Sequence, residues 1–327
     1  MPLETQLGHK TETTYGTAVT VDRFEPYLSE NIQPETFRTR VPSMRSGKQA
    51  AGSTEYAAGI LGYAGSLEIP VLSKGFGVWM EYALGAVSTT GPTGGAYQHV
   101  ATIDPDACPP SFTAQVNRSL APCGSTDQAM TFEGCQINSW SLTCSVDEIL
   151  KFSCEIVAED GTTGTALATA SYAASTEPLT WAGASLTIGG TSVPVTSFTL
   201  SGNNNLKTDR HYQRAETRRD QAPRSDYPEI TVEFEADWDS LTQYNRFVAE
   251  TAAGTQAAVV YTCEAPTAIT TGVYPGVVVT LAAVDFTNVA ANVSGPDMLM
   301  QSISGLVLDN FSDEPIDVTY TSEDSAA

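Results

Sequence analysis

The stretch from Glu229 to Trp238 alternates apolar and polar residues without a break. Ile230, Val232, Phe234, Ala236 and Trp238 fall on one side; Glu229, Thr231, Glu233, Glu235 and Asp237 fall on the other. A period of two is the geometry of a β-strand, so the segment reads as a strand with one buried face and one acidic, wet face. Ser139 to Val146 repeats the pattern, with Trp140, Leu142, Cys144 and Val146 opposite a hydroxyl row of Ser139, Ser141, Thr143 and Ser145. Further strands are expected near 111–117, 151–158, 195–203, 256–264, 275–286, 299–308 and 315–321, all bounded by Gly, Pro, Asn or Asp. Two segments carry helical spacing. Ser73 to Ala86 places Phe76, Trp79, Met80 and Ala83 on one face, with Ser73 as N-cap. Ser240 to Ala253 places Leu241, Tyr244, Phe247 and Val248 together, capped by Asp239 or Ser240. The chain is expected to be mainly β.

Each helix directly follows a strand, and this parallel exposes an internal repeat. Leu28 to Arg40 lies over Leu200 to Tyr212, strand Ser66–Val71 over Ile230–Ala236, and helix 73–86 over helix 240–253. Ser111–Val116 is then set over Pro275–Leu281, and the hairpin 130–158 over 296–321. Two copies of one β domain are expected, 1–165 with an N-terminal arm and 166–327. They meet at the small, polar stretch that follows Glu159. A length of 327 residues fits two domains at roughly 100–200 residues each.

Charge sharpens this picture. There are 38 acidic and 16 basic residues, a net charge of −22, which argues against binding nucleic acid or an anionic membrane through overall charge. Acid-rich, lysine-poor composition also suits a protein from a high-salt organism, where salt screens self-repulsion. Ten of the basic residues sit in two equivalent stretches. The first holds Arg38, Arg40, Arg45 and Lys48; the second holds Lys207, Arg210, Arg214, Arg218, Arg219 and Arg224. Two long basic loops on an acidic body suit self-association, and arginine's planar fork suits pairing with carboxylates at an interface.

Catalytic chemistry is not legible. G-x-S-x-G, G-x-x-x-x-G-K-[ST] and H-E-x-x-H do not occur. His9 is expected in a mobile N-terminus, His211 in a basic loop, and His99 as a satisfied structural residue. The cysteines (Cys108, Cys123, Cys135, Cys144, Cys154 and Cys263) contain no C-x-x-C pair, so no metal site is expected. Cys108 and Cys123 flank one strand; buried free thiols are the expected state of all six. Neither a secretory signal nor a membrane-spanning run is expected. The reading is of a non-enzymatic protein without cofactor.

The sequence resembles the tail tube (major tail) proteins of long-tailed, siphovirus-like viruses. The residues that carry the resemblance run in order from Glu12–Thr20 and Phe24–Ile32 through Gly59–Pro70. They continue with Gln98-His99-Val100, Pro110–Val116, Phe132–Val146 and Thr196–Leu206. The resemblance implies tail-tube β-sandwich or barrel domains, each flanked by a short helix. It implies stacked rings forming a hollow tube that conducts viral DNA during ejection, assembled in the host cytoplasm into the virion tail. It implies loops reaching the adjacent ring, at the position of Arg38–Lys48 and Lys207–Arg224. It also implies tail terminator, tape measure and baseplate proteins as partners. With two domains per chain, three chains complete a pseudo-hexameric ring; a homohexamer is the second choice. Other virion β proteins and a non-viral binding module are the competing readings. The expected lumen face carries Glu233, Glu235 and Asp237, or Ser139, Ser141, Thr143 and Ser145, since carboxylates and hydroxyls let DNA slide without counterion release.

Overall fold

The computed structural model describes the chain apart from residues 1–4, 36–37, 42, 45, 48, 51, 53, 106–107, 120–126, 214–215, 250–254 and 294–297. The fold is mainly β, with two short helices and antiparallel sheets that do not close into a barrel. In the first half, β1 (Leu7–Thr11), β2 (Arg23–Glu25), β3 (Ser29–Glu30) and β4 (Gln33–Pro34) lead to a small ribbon of β5 (Arg38–Arg40) and β6 (Tyr56–Ala58). Then come β7 (Tyr63–Pro70), α1 (Gly77–Leu84), β8 (Gly85–Thr93), β9 (Ala96–Ile103), β10 (Phe112–Asn117), β11 (Ala129–Ser145), β12 (Lys151–Ala158) and β13 (Asp160–Thr162). The second half holds β14 (Ala184–Ile188), β15 (Thr191–Ser192), β16 (Val195–Asn203), β17 (Glu229–Asp237) and α2 (Thr242–Phe247). It ends with β18 (Ala257–Glu264), β19 (Gly276–Ala290), β20 (Met300–Val307) and β21 (Ile316–Ser322).

One pairing scheme occurs in both halves. In the first, β2 pairs β1, β1 pairs β10, β10 pairs β11, β11 pairs β12 and β13, and β12 pairs β7, which pairs β3 and β4. In the second, β15, β14, β18, β19, β20, β21, β17 and β16 repeat those links in the same order. Even an irregularity recurs: β11 carries one extra residue, Asn138, opposite β12, and β19 carries one, Thr287, opposite β20. Aligned on these bulges, Phe112–Asn117 matches Ala257–Glu264, and the hairpin of β11 and β12 matches β19 and β20. The sequence alignment set both one strand too late, because Val/Thr-rich strands look alike when pairing partners are unknown.

The long strands β11 and β19 each serve two layers. The first part of β11 pairs β10, and its second part pairs β12 and β16. It turns at Gly134, whose φ of 64° suits glycine and whose N–H donates to a buried Glu12 carboxylate at 2.9 Å. The core lies between the layers. It includes Leu67, Ile69, Phe152, Trp140, Leu142, Phe198, Leu200, Val232 and Phe234, all buried. In the second half, Phe198 stacks on Tyr261 with ring centroids 3.8 Å apart, joining β16 to β18 across the layers.

The two helices differ. In α1 the side chains of Val78, Trp79, Met80, Tyr82, Ala83 and Leu84 are all buried, and Gly85 ends the helix in the left-handed region. In α2 only Gln243 is buried, and Leu241, Tyr244, Phe247 and Val248 remain well exposed. Both are shorter than expected. The Ser73 hydroxyl does not cap α1; it accepts from the backbone of Glu177 at 2.9 Å, and Phe76 stands at the cap without a side-chain bond. Leu241, rather than Asp239 or Ser240, precedes α2. His9 is also not mobile: it lies in β1, fully buried against Trp79 and close to Tyr82 and Glu25.

Candidate functional site

Two surfaces gather the polar residues singled out above. The first is one face of a continuous sheet. Because β11 pairs β16 from Ser139↔Asn203 to Ser145↔Ser197, one sheet of each half joins the other edge to edge within the chain. Directly paired residues share a face. One row across the sheet is therefore Glu68, Ser153, Ser141, Ser201 and Thr231. The next is Ser66, Glu155, Ser139, Asn203 and Glu229. On the other side lie Lys151, Thr143, Thr199, Glu233 and Ser304, and beyond them Ser145, Ser197, Glu235 and Ser302. The hydroxyl row and the acidic row, which the sequence offered as alternatives, occupy the same face. Asp237 follows at the end of β17, exposed like Glu233 and Glu235. The face dips into an open trough of about 470 Å³ lined by Ser66, Ser139, Ser141, Ser153, Glu155 and Ser201 among others. Its basic residue Lys151 is tied to Glu148 at 3.1 Å.

The second surface is formed by the two arms between β4 and β7 and between β16 and β17. In the first arm Arg38 and Arg40 lie exposed on the ribbon, while Arg45 and Lys48 fall outside the described residues. The second arm lies against the first half of the same chain. Asn204 Nδ2 donates to Ala83 O at 2.8 Å and to Ile137 O at 3.0 Å. Arg224 donates to Leu84 O at 2.9 Å and Asp104 O at 2.5 Å, covering the C-terminal end of α1, where free carbonyls favour a cation. Arg219, 4% exposed, pairs with Glu35 at 2.5 Å. Arg218 is held by Asp160 at 2.6 Å, Glu133 at 3.3 Å and Glu159 at 3.8 Å. Arg210 donates to Gln221 O and stacks over Tyr212. Arg214 lies outside the described residues.

The carboxylates under Arg218 are perturbed. Burial raises the Glu159 pKa to about 7; Arg218 opposes this, while Glu133, Glu216 and Asp160 reinforce it. Glu133 is raised too, first by burial. These acids, and Glu35, were not identified from the sequence. In a chain with 38 acids, the only signal was their place beside a basic loop in the folded repeat.

Of the described cysteines, Cys135, Cys144, Cys154 and Cys263 are buried free thiols and Cys108 is half-buried. Burial raises the thiol pKa of each of the four, which makes them inert. Cys123 lies outside the described residues. His99 bonds Thr89 and Asp324 O, and burial lowers its pKa. Among the described residues no group of His, Cys, Asp and Glu is arranged to hold a metal ion, and no helix is long and apolar enough to cross a membrane.

An antiparallel chain whose halves join edge to edge, with one polar sheet face and an arm that locks one half onto the other, defines a structural subunit. The family model for phage tail tube proteins matches residues 2–307, and the chain belongs to that family. It is a structural, non-enzymatic component of the virion tail. No curated protein matches the chain.

Proposed function

We propose that the chain is two tube domains in tandem, 1–165 and 166–327, and that three chains complete a pseudo-hexameric ring. The rings stack into the hollow tail tube that conducts viral DNA during ejection. The observation that carries this reading is the β11–β16 junction, which turns two equivalent four-stranded sheets into one eight-stranded sheet with a single polar face.

That face lines the bore. Glu233, Glu235, Asp237 and the Ser139–Ser145 hydroxyl row repel or merely hydrate phosphate, and they offer no counterion-release gain, so DNA passes without sticking. Stacking between rings falls to the outer parts of the arms, through Arg38, Arg40 and Arg210 together with Arg45, Lys48 and Arg214. Arg218, Arg219 and Arg224 are engaged within the chain and act there as a lock between domains. Tail terminator, tape measure and baseplate proteins are its other partners in the virion.

Negative-stain electron microscopy at high and low salt, with native mass of the smallest assembly, tests the proposal. Rings or tubes built on three chains are expected, more readily at high salt because a net charge of −22 opposes association. Six chains per ring would discard the tandem reading and keep the tube. A chain that stays monomeric across concentration and salt, even with preformed tail ends as initiator, would overturn the tube reading.

A further inference from the structure

The second arm is clasped at both ends by bonds that a proton cannot undo, and in its middle by bonds that a proton can. At its start Asn204 donates to Ala83 O and Ile137 O; at its end Arg224 donates to Leu84 O and Asp104 O. These acceptors are main-chain carbonyls, which do not titrate. Between them Thr217 O accepts from the Leu61 N–H at 3.0 Å, and Arg218 reaches Asp160, Glu133 and Glu159 at once. Arg219 takes Glu35 of the first arm.

Around Arg218 the acids outnumber the cations. Glu133 comes from β11, with the buried Cys135 thiol behind it, and Glu159 and Asp160 come from the turn after β12. The N-terminal segment adds Glu12 and Tyr15, β7 adds Tyr63 beside Asp160, and the arm itself brings Glu216. Glu12 is satisfied without a cation: its oxygens accept from the N–H groups of Gly16 and Gly134 and from the hydroxyls of Ser111 and Thr113. Glu133 and Glu159 share Arg218 with Asp160, and three carboxylates exceed what one guanidinium neutralises.

We infer that the middle of the second arm is a proton-operated catch: with Glu133 and Glu159 ionised Arg218 holds it down, and with them protonated residues 217–218 lift from Leu61. Both ends stay clasped, and Arg219 stays with Glu35 as the pivot. The catch is a property of the single chain and stands whether or not rings form. What remains in place when the arm lifts decides the direction. Glu159 is buried by the first half itself: an added Cβ at Gly16 would fall 1.7 Å from its Oε2, and one at Gly134 would fall 2.8 Å from its own Cβ. That burial is common to the docked and lifted states and largely cancels, whereas Arg218 is present in only one of them. Arg218 favours the ionised form of both acids, so by reciprocity the ionised acids favour Arg218. Glu216 arrives with the arm and opposes this by a smaller effect. Burial sets where the catch works, bringing Glu159 to about 7 and Glu133 upward, within reach of mild acid. The hold is full in mild alkali and is lost as pH falls through about 7. Whole-chain stability runs the other way with pH, because unfolding, unlike lifting, also removes the burial.

Hydrogen exchange at the Leu61 amide tests the catch, because its bond to Thr217 O exists only with the arm down. Exchange is followed on the full, unassembled chain at low salt, at pH 5 and pH 8, and corrected for the intrinsic pH dependence of amide exchange. Leu61 protection is expected to be roughly three- to tenfold higher at pH 8. The Lys207 amide, bonded to Pro223 O at the clasped base of the arm, should not share that rise. Glu159→Gln should lose part of the rise, and Arg218→Gln should show low Leu61 protection at both pH values. Leu61 protection that is equal at the two pH values overturns the inference. So does protection that falls as pH rises, which would mean that burial and Glu216 outweigh the attraction, or a rise that persists in full in Arg218→Gln. If a variant fails to fold, the wild-type comparison of Leu61 with Lys207 decides alone. None of these outcomes bears on whether the chain forms a tube.

Discussion

Glu159 should make the folded chain lose stability as pH rises, and a single substitution should isolate its share. The side chain packs on the turn at Gly16, where an added Cβ would fall 1.7 Å from Glu159 Oε2, and it is 13% exposed as a whole. Burial lifts its pKa from the ordinary 4.5 to about 7 despite Arg218. A raised acid pKa means that the folded state holds the proton more tightly than the unfolded one. The stabilising effect is therefore complete below about pH 4.5 and is lost as pH climbs to about 7. The rise corresponds to about 3 kcal/mol. Glu159→Gln mimics the protonated form at every pH. Urea unfolding at pH 5 and pH 8, at fixed ionic strength, should find the variant close to wild type at pH 5. At pH 8 it should be more stable by about 2–3 kcal/mol, the lower figure allowing for solvent screening of a partly exposed group. A variant less stable than wild type at pH 8, or a difference that does not change with pH, would show that the Arg218 pairing outweighs desolvation and would refute the reasoning.

Three other perturbations follow from the same contacts. Arg224→Ala removes charged hydrogen bonds to Leu84 O and Asp104 O and should cost about 2–4 kcal/mol in chemical denaturation. Arg224→Lys should recover only part, since one ammonium does not reproduce the fork. Gly202→Ala places a Cβ 2.3 Å from the Trp140 indole and should cost about 1–3 kcal/mol, read as a lower Tm; an unchanged Tm would mean that Trp140 has room to shift. Arg118→Ala should lower the Tm, since it removes the ion pair with Glu30 at 2.5 Å and the bond to Ile32 O; an unchanged Tm would mean that these contacts add nothing to stability. Arg118 holds Ile32 O at 2.7 Å while Glu30 accepts from Ile32 N–H at 2.6 Å, so the pair fixes the backbone between β3 and β4.

The strands were legible wherever one face is buried and the other wet. Glu229–Asp237 and Lys151–Ala158 emerge almost residue for residue. β1 was not, because Gly8-His9-Lys10 shows no apolar alternation; its burial comes from the aromatic cluster of Trp79, Tyr82 and Phe112, which only the folded chain assembles. The hairpin of β8 and β9 hid behind Ser88-Thr-Thr-Gly-Pro-Thr93, a polar run of β8 that pairs with β9, while β9 has β21 of the other half as its second neighbour. The basic loops were visible as composition, but what they touch was not. Which carboxylate meets Arg218 depends on the turn after β12 lying under an arm that starts some fifty residues later. That the two candidate polar rows share one face followed from the register of β11 against β16, a long-range pairing that no local pattern encodes.

The β11–β16 junction also changes the arithmetic of association. Two free domains that meet edge to edge must give up translational and rotational freedom, an estimated 4–15 kcal/mol at standard concentration. Here the partners are tethered by the segment from β13 to β14, so that encounter is unimolecular and its effective concentration does not fall when the protein is dilute. In the proposed ring half of the junctions are formed as each chain folds, and only three encounters remain. Tethering also fixes order: the sheet with the acidic row always has the hydroxyl-rich sheet as its neighbour, so unlike domains alternate around the ring without any need for the edges to discriminate between them.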